Sequence, residues 1–182
     1  MKRIKLPLIK ETICQLKAGD RCLLTGVLYT ARDAAHKRLC EALERGEKMP
    51  IELKDATIYY TGPAPAKPGM AIGPCGPTTS YRMDAYAPTL IAQGLAGMIG
   101  KGRRNREVVE AMTGRAVYFG ATGGCGALLA QCVRTCEVIA YPDLGAEAIH
   151  RLEVTDMPVT VIIDAFGNDL YEDGPAQYLE TK

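Results

Sequence analysis

Residues 73 to 84 read GPCGPTTSYRMD, and their composition points to the binding of an anion. Gly73, Pro74, Gly76 and Pro77 forbid a regular element and impose a tight backbone path. Thr78, Thr79 and Ser80 follow at once, hydroxyl residues that cap a helix while leaving backbone N–H groups free to face a ligand. Arg82 adds a planar fork that grips a carboxylate through two parallel hydrogen bonds. Taken alone, the stretch is also compatible with an ordinary Gly/Pro loop that runs into a helix cap and leaves Arg82 in solvent.

Two further positions carry the same signal. In TARDAAHKR, residues 30 to 38, Arg32 stands at the mouth of a helix, where the macrodipole disfavours a cation unless an anion is bound beside it. His36 falls four residues later on the same helical face, and Asp33 is placed to bond first-turn amides. Histidines of this kind are more often buried and satisfied than catalytic, so His36 is a candidate for proton transfer only in company. Lys101 lies between Gly100 and Gly102 in MIGKG, residues 98 to 102, where the glycines let a ligand approach the backbone and the lysine offers a point charge.

These positions require a scaffold, and the chain has the periodicities of an α/β one. RCLLTGVLYT, residues 21 to 30, is β-rich and nearly continuously apolar, as a strand buried on both faces would be, with Gly26 marking a bulge or a close approach. Residues 31 to 46 form a helix that ends at Gly46, and residues 11 to 17 a shorter one. Further strands are expected at 55–62, 95–102 and 115–120, with short helical pieces in MDAYAPTLIAQG and a helix at 104–114. ATGGCGALLAQCV is a glycine-rich strand-to-helix turn without the GK[ST] ending of a phosphate loop. The chain closes with TCEVIAY, the turn PDLG, a short EAIHRLEV segment, PVTVIIDA and FGNDLY. His150 in this region reads as structural. Cationic residues placed where strands give way to turns are how an open α/β sheet builds a site at its strand ends.

Composition sets the outer limits. A chain of 182 residues is long enough for one core, so a single domain over 1–182 is expected. Twenty-two Lys and Arg against 21 Asp and Glu argue against a nucleic-acid surface or a polybasic membrane face. The N-terminus MKRIKLPLIK lacks a signal-peptide core and no apolar run reaches a membrane span, which leads to the expectation of a cytoplasmic protein. The seven cysteines are odd in number and contain no CxxC pair, so they read as reduced thiols without a metal site. Cys75 and Cys125, in glycine-rich loops, either line a site or fill tight turns.

With TARDAAHKR, GPCGPTTSYRMD, MIGKG and YFGATGGCGALLA (118 to 130) in hand, the chain resembles, over nearly its whole length, the β subunit of class I iron-sulfur fumarate hydratases and L-tartrate dehydratases. The resemblance implies a swivelling β/β/α fold and reversible addition of water to a C4 dicarboxylate, fumarate first and L-tartrate second. It implies an α subunit as partner in a hetero-oligomer, or a homo-oligomer when the chain is isolated. That α subunit would carry a 4Fe-4S cluster on three cysteines, leaving one iron open to substrate. By motif, Arg32, Arg82 and Lys101 would hold substrate carboxylates, Thr78 and Thr79 match the paired threonines, and Thr79 resembles the proton-abstracting base, with His36 as a further proton-transfer group. Tyr81 is bulkier than the small residue usual in fumarases, and Asp84 in RMD fits the fumarase branch. Independently, removing a proton beside a carboxylate builds enediolate-like charge, which clustered Arg and Lys stabilise. The reading from a different class is a non-catalytic carboxylate-binding or regulatory module built on the same cations.

Overall fold

The apolar run at 21–30 forms strand β2 (Arg21–Thr30), and the rest of the sheet is assembled on it. The computed structural model describes residues 1–180. Along one edge β2 pairs antiparallel with β7 (Ile149–Ile163), and along the other it pairs parallel first with β1 (Lys2–Lys5) and then with β3 (Thr57–Tyr59). From β3 the sheet continues in parallel through β4 (Gly97–Gly100) and β5 (Val117–Gly120), and β5 returns to β7 in antiparallel pairing. The strands β2, β3, β4, β5 and β7 therefore close on themselves, and β6 (Val133–Ala140) is added outside, on β7.

Closure explains the alternation in these short strands. Tyr59, Ile99, Val117 and Phe119 point inward and join Leu24, Leu28, Leu152 and Val161 in one core. Their neighbours Ile58, Tyr60, Met98 and Tyr118 point outward and are covered by helices α2 (Asp33–Glu44), α3 (Ala87–Ala92) and α4 (Arg106–Met112), which supply Ala35, Leu39, Leu90, Val108 and Met112 to a second core. Both faces of each strand are apolar, as parallel strands roofed by crossover helices require. The result is an α/β fold, a closed sheet with helices α2, α3 and α4 over part of its outer face.

Several expectations are met and several differ. The helix expected at 31–46 is α2, and the pieces read in MDAYAPTLIAQG are a 3-10 turn, Ser80–Met83, followed by α3. The glycine-rich 120s turn into α5 (Gly126–Ala130), while the expected helix at 11–17 is the single turn α1 (Lys10–Ile13). EAIHRLEV and PVTVIIDA, read as separate pieces, form the one strand β7, because β2 pairs with it on both sides of the left-handed Asp156 (φ 51°) and bridges the interruption. β1 and α6 (Leu170–Glu180) had no periodic signal of their own. Among the described residues, no helix is long and apolar enough to cross a membrane.

Gly26 has a φ of 134° at the bulge between Leu24 and Gly26, and a Cβ there would stand 2.8 Å from the Leu6 carbonyl oxygen. Both the dihedral and the contact with backbone exclude a side chain. Gly26→Ala is expected to cost about 2 kcal/mol or more in urea unfolding, at the upper range for strained backbone positions. A midpoint unchanged from wild type would show that β1 is free to retreat from β2.

Candidate functional site

Strands β2, β3, β4 and β5 are mutually parallel, so their C-terminal ends share one edge of the sheet: Thr30 lies opposite Tyr59, Tyr59 opposite Ile99, and Gly100 opposite Gly120. Arg32 and Lys101 emerge from that edge, and the 73–84 loop is stitched across it. Tyr59 Oη donates to the Cys75 carbonyl, and Thr61 Oγ1 donates to the Gly76 carbonyl at 2.8 Å. The Thr78 amide donates to the Tyr60 carbonyl at 2.6 Å, and the Ser80 amide to the Lys101 carbonyl at 2.8 Å. The loop thus begins on the end of β3 and finishes on the end of β4. Its other side is held by the Cys75 amide donating to the Gly126 carbonyl at 3.1 Å, with a Cβ at Gly126 only 2.8 Å from the Gly76 nitrogen.

Ser80 is the pivot of this seam. A Cβ on Gly100 would lie 1.9 Å from Ser80 Oγ, so glycine is the only residue the junction admits. Lys101 N–H donates to Ser80 Oγ (3.1 Å), Ser80 Oγ and Tyr118 Oη are 2.9 Å apart, and Tyr118 Oη donates to the Gly102 carbonyl (2.9 Å). A backbone N–H can only donate and a carbonyl can only accept, so the Ser80 proton must point to Tyr118. Burial raises the Tyr118 hydroxyl pKa, which keeps the Tyr118 proton in place on its bond to the Gly102 carbonyl. The Lys101 backbone is therefore fixed on both sides, and Thr79 forms an isolated parallel bridge with it.

A second lock lies behind the loop and was not foreseen from the sequence. Arg104 Nε donates to Asp84 Oδ1 at 2.6 Å, and the Asn105 amide donates to Asp84 Oδ2 at 2.6 Å. The guanidinium lies 5.4 and 5.0 Å from the ring centroids of Tyr60 and Tyr118, and its side chain is 0% exposed. Removing one member of such a pair strands a buried charge, a cost of about 3–5 kcal/mol. The pair clamps the end of the 73–84 loop to the segment after Lys101. Asp84 and Arg104 are twenty residues apart, and only the fold brings them together.

The predicted site residues gather at this edge. Arg82, 44% exposed, donates through Nε to Asp33 Oδ1 at 2.8 Å. Arg32, at the N-cap of α2, lies over Gly62, with Nη2 3.3 Å from Glu147 Oε1 and Nε 3.8 Å from Asp33 Oδ2. Glu147 Oε2 accepts from the Ala34 amide at 3.2 Å and so caps a helix whose N-cap residue supplies no side-chain bond. Lys101 is exposed, with Nζ against Gly123 (3.8 Å from where its Cβ would be), beside a groove of about 400 Å³ that runs from Gly120 to Tyr171. Among the described residues Lys101 has no ion-pair partner within 4 Å. Thr78 and Thr79 are half-buried between these cations, and Tyr81, 65% exposed, faces outward.

His36 lies beneath the cations, not among them. It is 0% exposed, its Nδ1 is 2.9 Å from the Arg32 carbonyl, and its ring meets Tyr60 edge-on at 5.2 Å. Because the carbonyl only accepts, Nδ1 carries the proton and Nε2 is left as a buried acceptor without a partner. Burial lowers the His36 pKa to about 4, so the ring is neutral near pH 7. Cys75 is buried in the inner core and desolvation pushes its thiol up to about 12; Cys125 is the half-buried N-cap residue of α5. Among the described residues no three His, Cys, Asp or Glu form a group able to hold a metal ion.

This arrangement of strand ends, loop and cations can be compared with known proteins. A model of the family described as Fumarase C-terminus matches residues 1–174. The chain belongs to this family. It is 41% identical over 170 residues to a protein named fumarate hydratase class I, aerobic, of Escherichia coli K12, a match covering 90% of this chain and 31% of that one. Similarity to fumarate hydratase 2 of Leishmania major is 37% over 166 residues, covering 90% and 29%. A putative L(+)-tartrate dehydratase subunit beta of Methanocaldococcus jannaschii is 37% identical over 173 residues, covering 91% of this chain and 89% of that one. The chain thus spans about a third of the length of the fumarate hydratases, and nearly all of the tartrate dehydratase subunit.

The burial of His36 generates a test of its state. Above pH 6.5 the histidine is neutral in both folded and unfolded chains; between about 6.5 and about 4 only the unfolded chain takes up the proton. Stability from this group is thus complete above pH 6.5 and falls as pH is lowered through that window, by at most about 3 kcal/mol. His36→Asn keeps a donor near the Nδ1 position but cannot titrate. Its urea-unfolding free energy should fall less steeply than wild type between pH 7 and 4.5; parallel curves would mean that His36 protonates freely in the folded protein.

Proposed function

We propose that the chain is the carboxylate-binding and proton-abstracting part of a hydro-lyase that adds or removes water on a C4 dicarboxylate, fumarate to malate first and L-tartrate second. The observation that carries the proposal is the convergence of Arg32, Arg82 and Lys101 on the C-terminal edge of four parallel strands, with Thr79 bridged to Lys101. Support also comes from the family, since relatives covered by this chain bear the names of fumarate hydratases and of a tartrate dehydratase β subunit. In this reading the chain works with an α subunit that carries a 4Fe-4S cluster, in a hetero-oligomer in the cytoplasm. The cluster would belong to that partner.

Arg82 offers its outer Nη1/Nη2 edge to one substrate carboxylate, because its Nε is already engaged by Asp33. Arg32 lies on the same side through its shared contact with Asp33 and acts on the second carboxylate or on the substrate hydroxyl region. Lys101, without an ion-pair partner among the described residues, meets the negative charge that develops when the C3 proton leaves. Thr79 is placed beside that charge to take the proton. A threonine hydroxyl is a weak base unless a neighbouring charge activates it, and the partner subunit is the source proposed for that activation. Thr78, anchored by its amide to the end of β3, aligns the loop and the substrate. His36 supports the site by holding the Arg32 carbonyl, since a buried neutral ring cannot reach the substrate.

Reconstitution with a purified α partner is the direct test: fumarate hydration or tartrate dehydration by the pair is expected, whereas carboxylate binding without turnover would leave a sensing module. In the assembled enzyme, Arg82→Lys keeps the charge and loses the fork, and should cost about 1.5–3 kcal/mol in kcat/KM. A change within about twofold would remove Arg82 from the substrate site. Thr79→Val should lower kcat by about 10²-fold with KM nearly constant, and should slow exchange of the substrate C3 hydrogen with solvent deuterium. Exchange at the wild-type rate in this variant, with loss in Thr78→Val instead, would transfer the proton step to Thr78.

A further inference from the structure

We propose that Asp33 is a positioning residue that fixes the orientation of the Arg82 guanidinium and so dedicates its Nη1/Nη2 edge to a substrate carboxylate; this rests on the dicarboxylate reading of the site. In a first-turn position the ordinary use of Asp33 is to accept helix amides, yet none of its hydrogen bonds goes to an amide of α2. The Ala34 amide is taken by Glu147, and Asp33 Oδ1 accepts from Arg82 Nε at 2.8 Å, forty-nine residues away. The macrodipole favours a carboxylate at this end of α2, whether or not Arg82 is bound to it.

The geometry gives the pair a direction. A guanidinium can meet a carboxylate through its Nε/Nη edge or through its Nη1/Nη2 edge, and the two present the fork to different regions of space. With Nε occupied, the second edge is the one left for a ligand. Asp33 is 29% exposed on its side chain, and its other oxygen, Oδ2, is buried without a hydrogen bond. That oxygen faces Arg32 Nε at 3.8 Å, and this nitrogen is also buried and unpartnered. The carboxylate is therefore bound to one arginine and held just outside hydrogen-bond range of the other. Buried orphans of opposite charge that face each other call for an explanation, and a carboxylate sited between two cations to keep both near one dianionic ligand supplies one.

The supports around it are fixed. Glu147, which pairs with Arg32 from the other side, belongs to the 3-10 segment Pro142–Glu147, and Arg38 anchors that segment through a two-pronged pair with Asp143, Nη1 to Oδ1 at 2.8 Å and Nη2 to Oδ2. Arg38 also covers the Tyr141 ring at 5.2 Å. Nothing in this arrangement resembles a lid; it is a brace.

The test is a double-mutant cycle in the reconstituted enzyme, with fumarate as the probe. Asp33→Ala is expected to raise KM by about tenfold or more with a smaller effect on kcat, because it frees a binding group and leaves the proton-transfer group in place. Asp33→Asn keeps an acceptor for Arg82 Nε and should recover most of that loss. In an Arg82→Ala background, Asp33→Ala should change KM by less than about twofold, since residues acting through one another are not additive. Additive losses, or no rescue by asparagine, would overturn the proposal and leave Asp33 a helix-stabilising residue. A readout without turnover uses the chain itself: the Arg82 Nε–H resonance should exchange slowly with solvent in wild type and Asp33→Asn and rapidly in Asp33→Ala. Equal exchange in all three also overturns it. If instead Arg82→Ala leaves fumarate kinetics intact while the Nε–H result holds, the dicarboxylate reading fails and the Asp33–Arg82 brace stands as structure alone, so the two failures are told apart.

Discussion

The contact of Ser80 Oγ with the bare Cα of Gly100 is the constraint on which the site depends. A Cβ at that position would stand 1.9 Å from the hydroxyl, so the loop can reach the strand only because residue 100 is glycine. Once there, Ser80 exchanges bonds with both backbone groups of Lys101, accepting from its amide and donating to its carbonyl. Thr79 and Arg82 lie on one side of this junction and Lys101 on the other. Their relative placement is thus set by backbone contact, the least compliant kind, and not by long side chains seeking one another. Tyr118 and the Asp84–Arg104 pair close the junction from behind.

Charge is distributed over this face unequally. Arg32 and Arg82 each lie against an internal carboxylate, Glu147 and Asp33, so they contribute directed N–H groups more than net charge. Lys101 has no such companion among the described residues. On the proposed dicarboxylate reading, a reaction that first binds two carboxylates and then builds a further negative charge uses both kinds of cation: oriented forks for what is present throughout, and an uncompensated charge for what appears only in the transition state. Internal pairing also limits what the arginines gain in solvent, where half-exposed ion pairs are worth about 1 kcal/mol or less. Their value lies in orientation.

The closed sheet makes the arrangement possible. Parallel strands align their C-terminal ends, and the antiparallel return through β7 fills the gap between β5 and β2. Residues 32, 79, 82 and 101, far apart in the chain, then share one rim. The chain matches the fumarate hydratases over about a third of their length.

Sequence alone determined the parts whose signals are local. The Gly/Pro path of 73–84, the helix that starts after Arg32, the apolar run of β2 and the glycine-flanked Lys101 follow from steric limits and periodicity within a few residues, and so the cationic positions were legible. The same is true of the bulge at Gly26, though not of the Leu6 carbonyl that makes it obligatory. What tertiary structure decided is whatever depends on distant neighbours. β1 carries four residues of no clear pattern and exists because β2 offers it an edge; residues 149–163 become one strand because β2 spans their interruption. Arg104 looked like one basic residue among several until Asp84, Tyr60 and Tyr118 enclosed it, and His36 shared a face with Arg32 in sequence but is sealed under it by Tyr60 and Tyr86. Residue type and spacing fix which groups are available for chemistry. Burial and partner, which arise only when remote segments meet, fix which of them remain open at the rim.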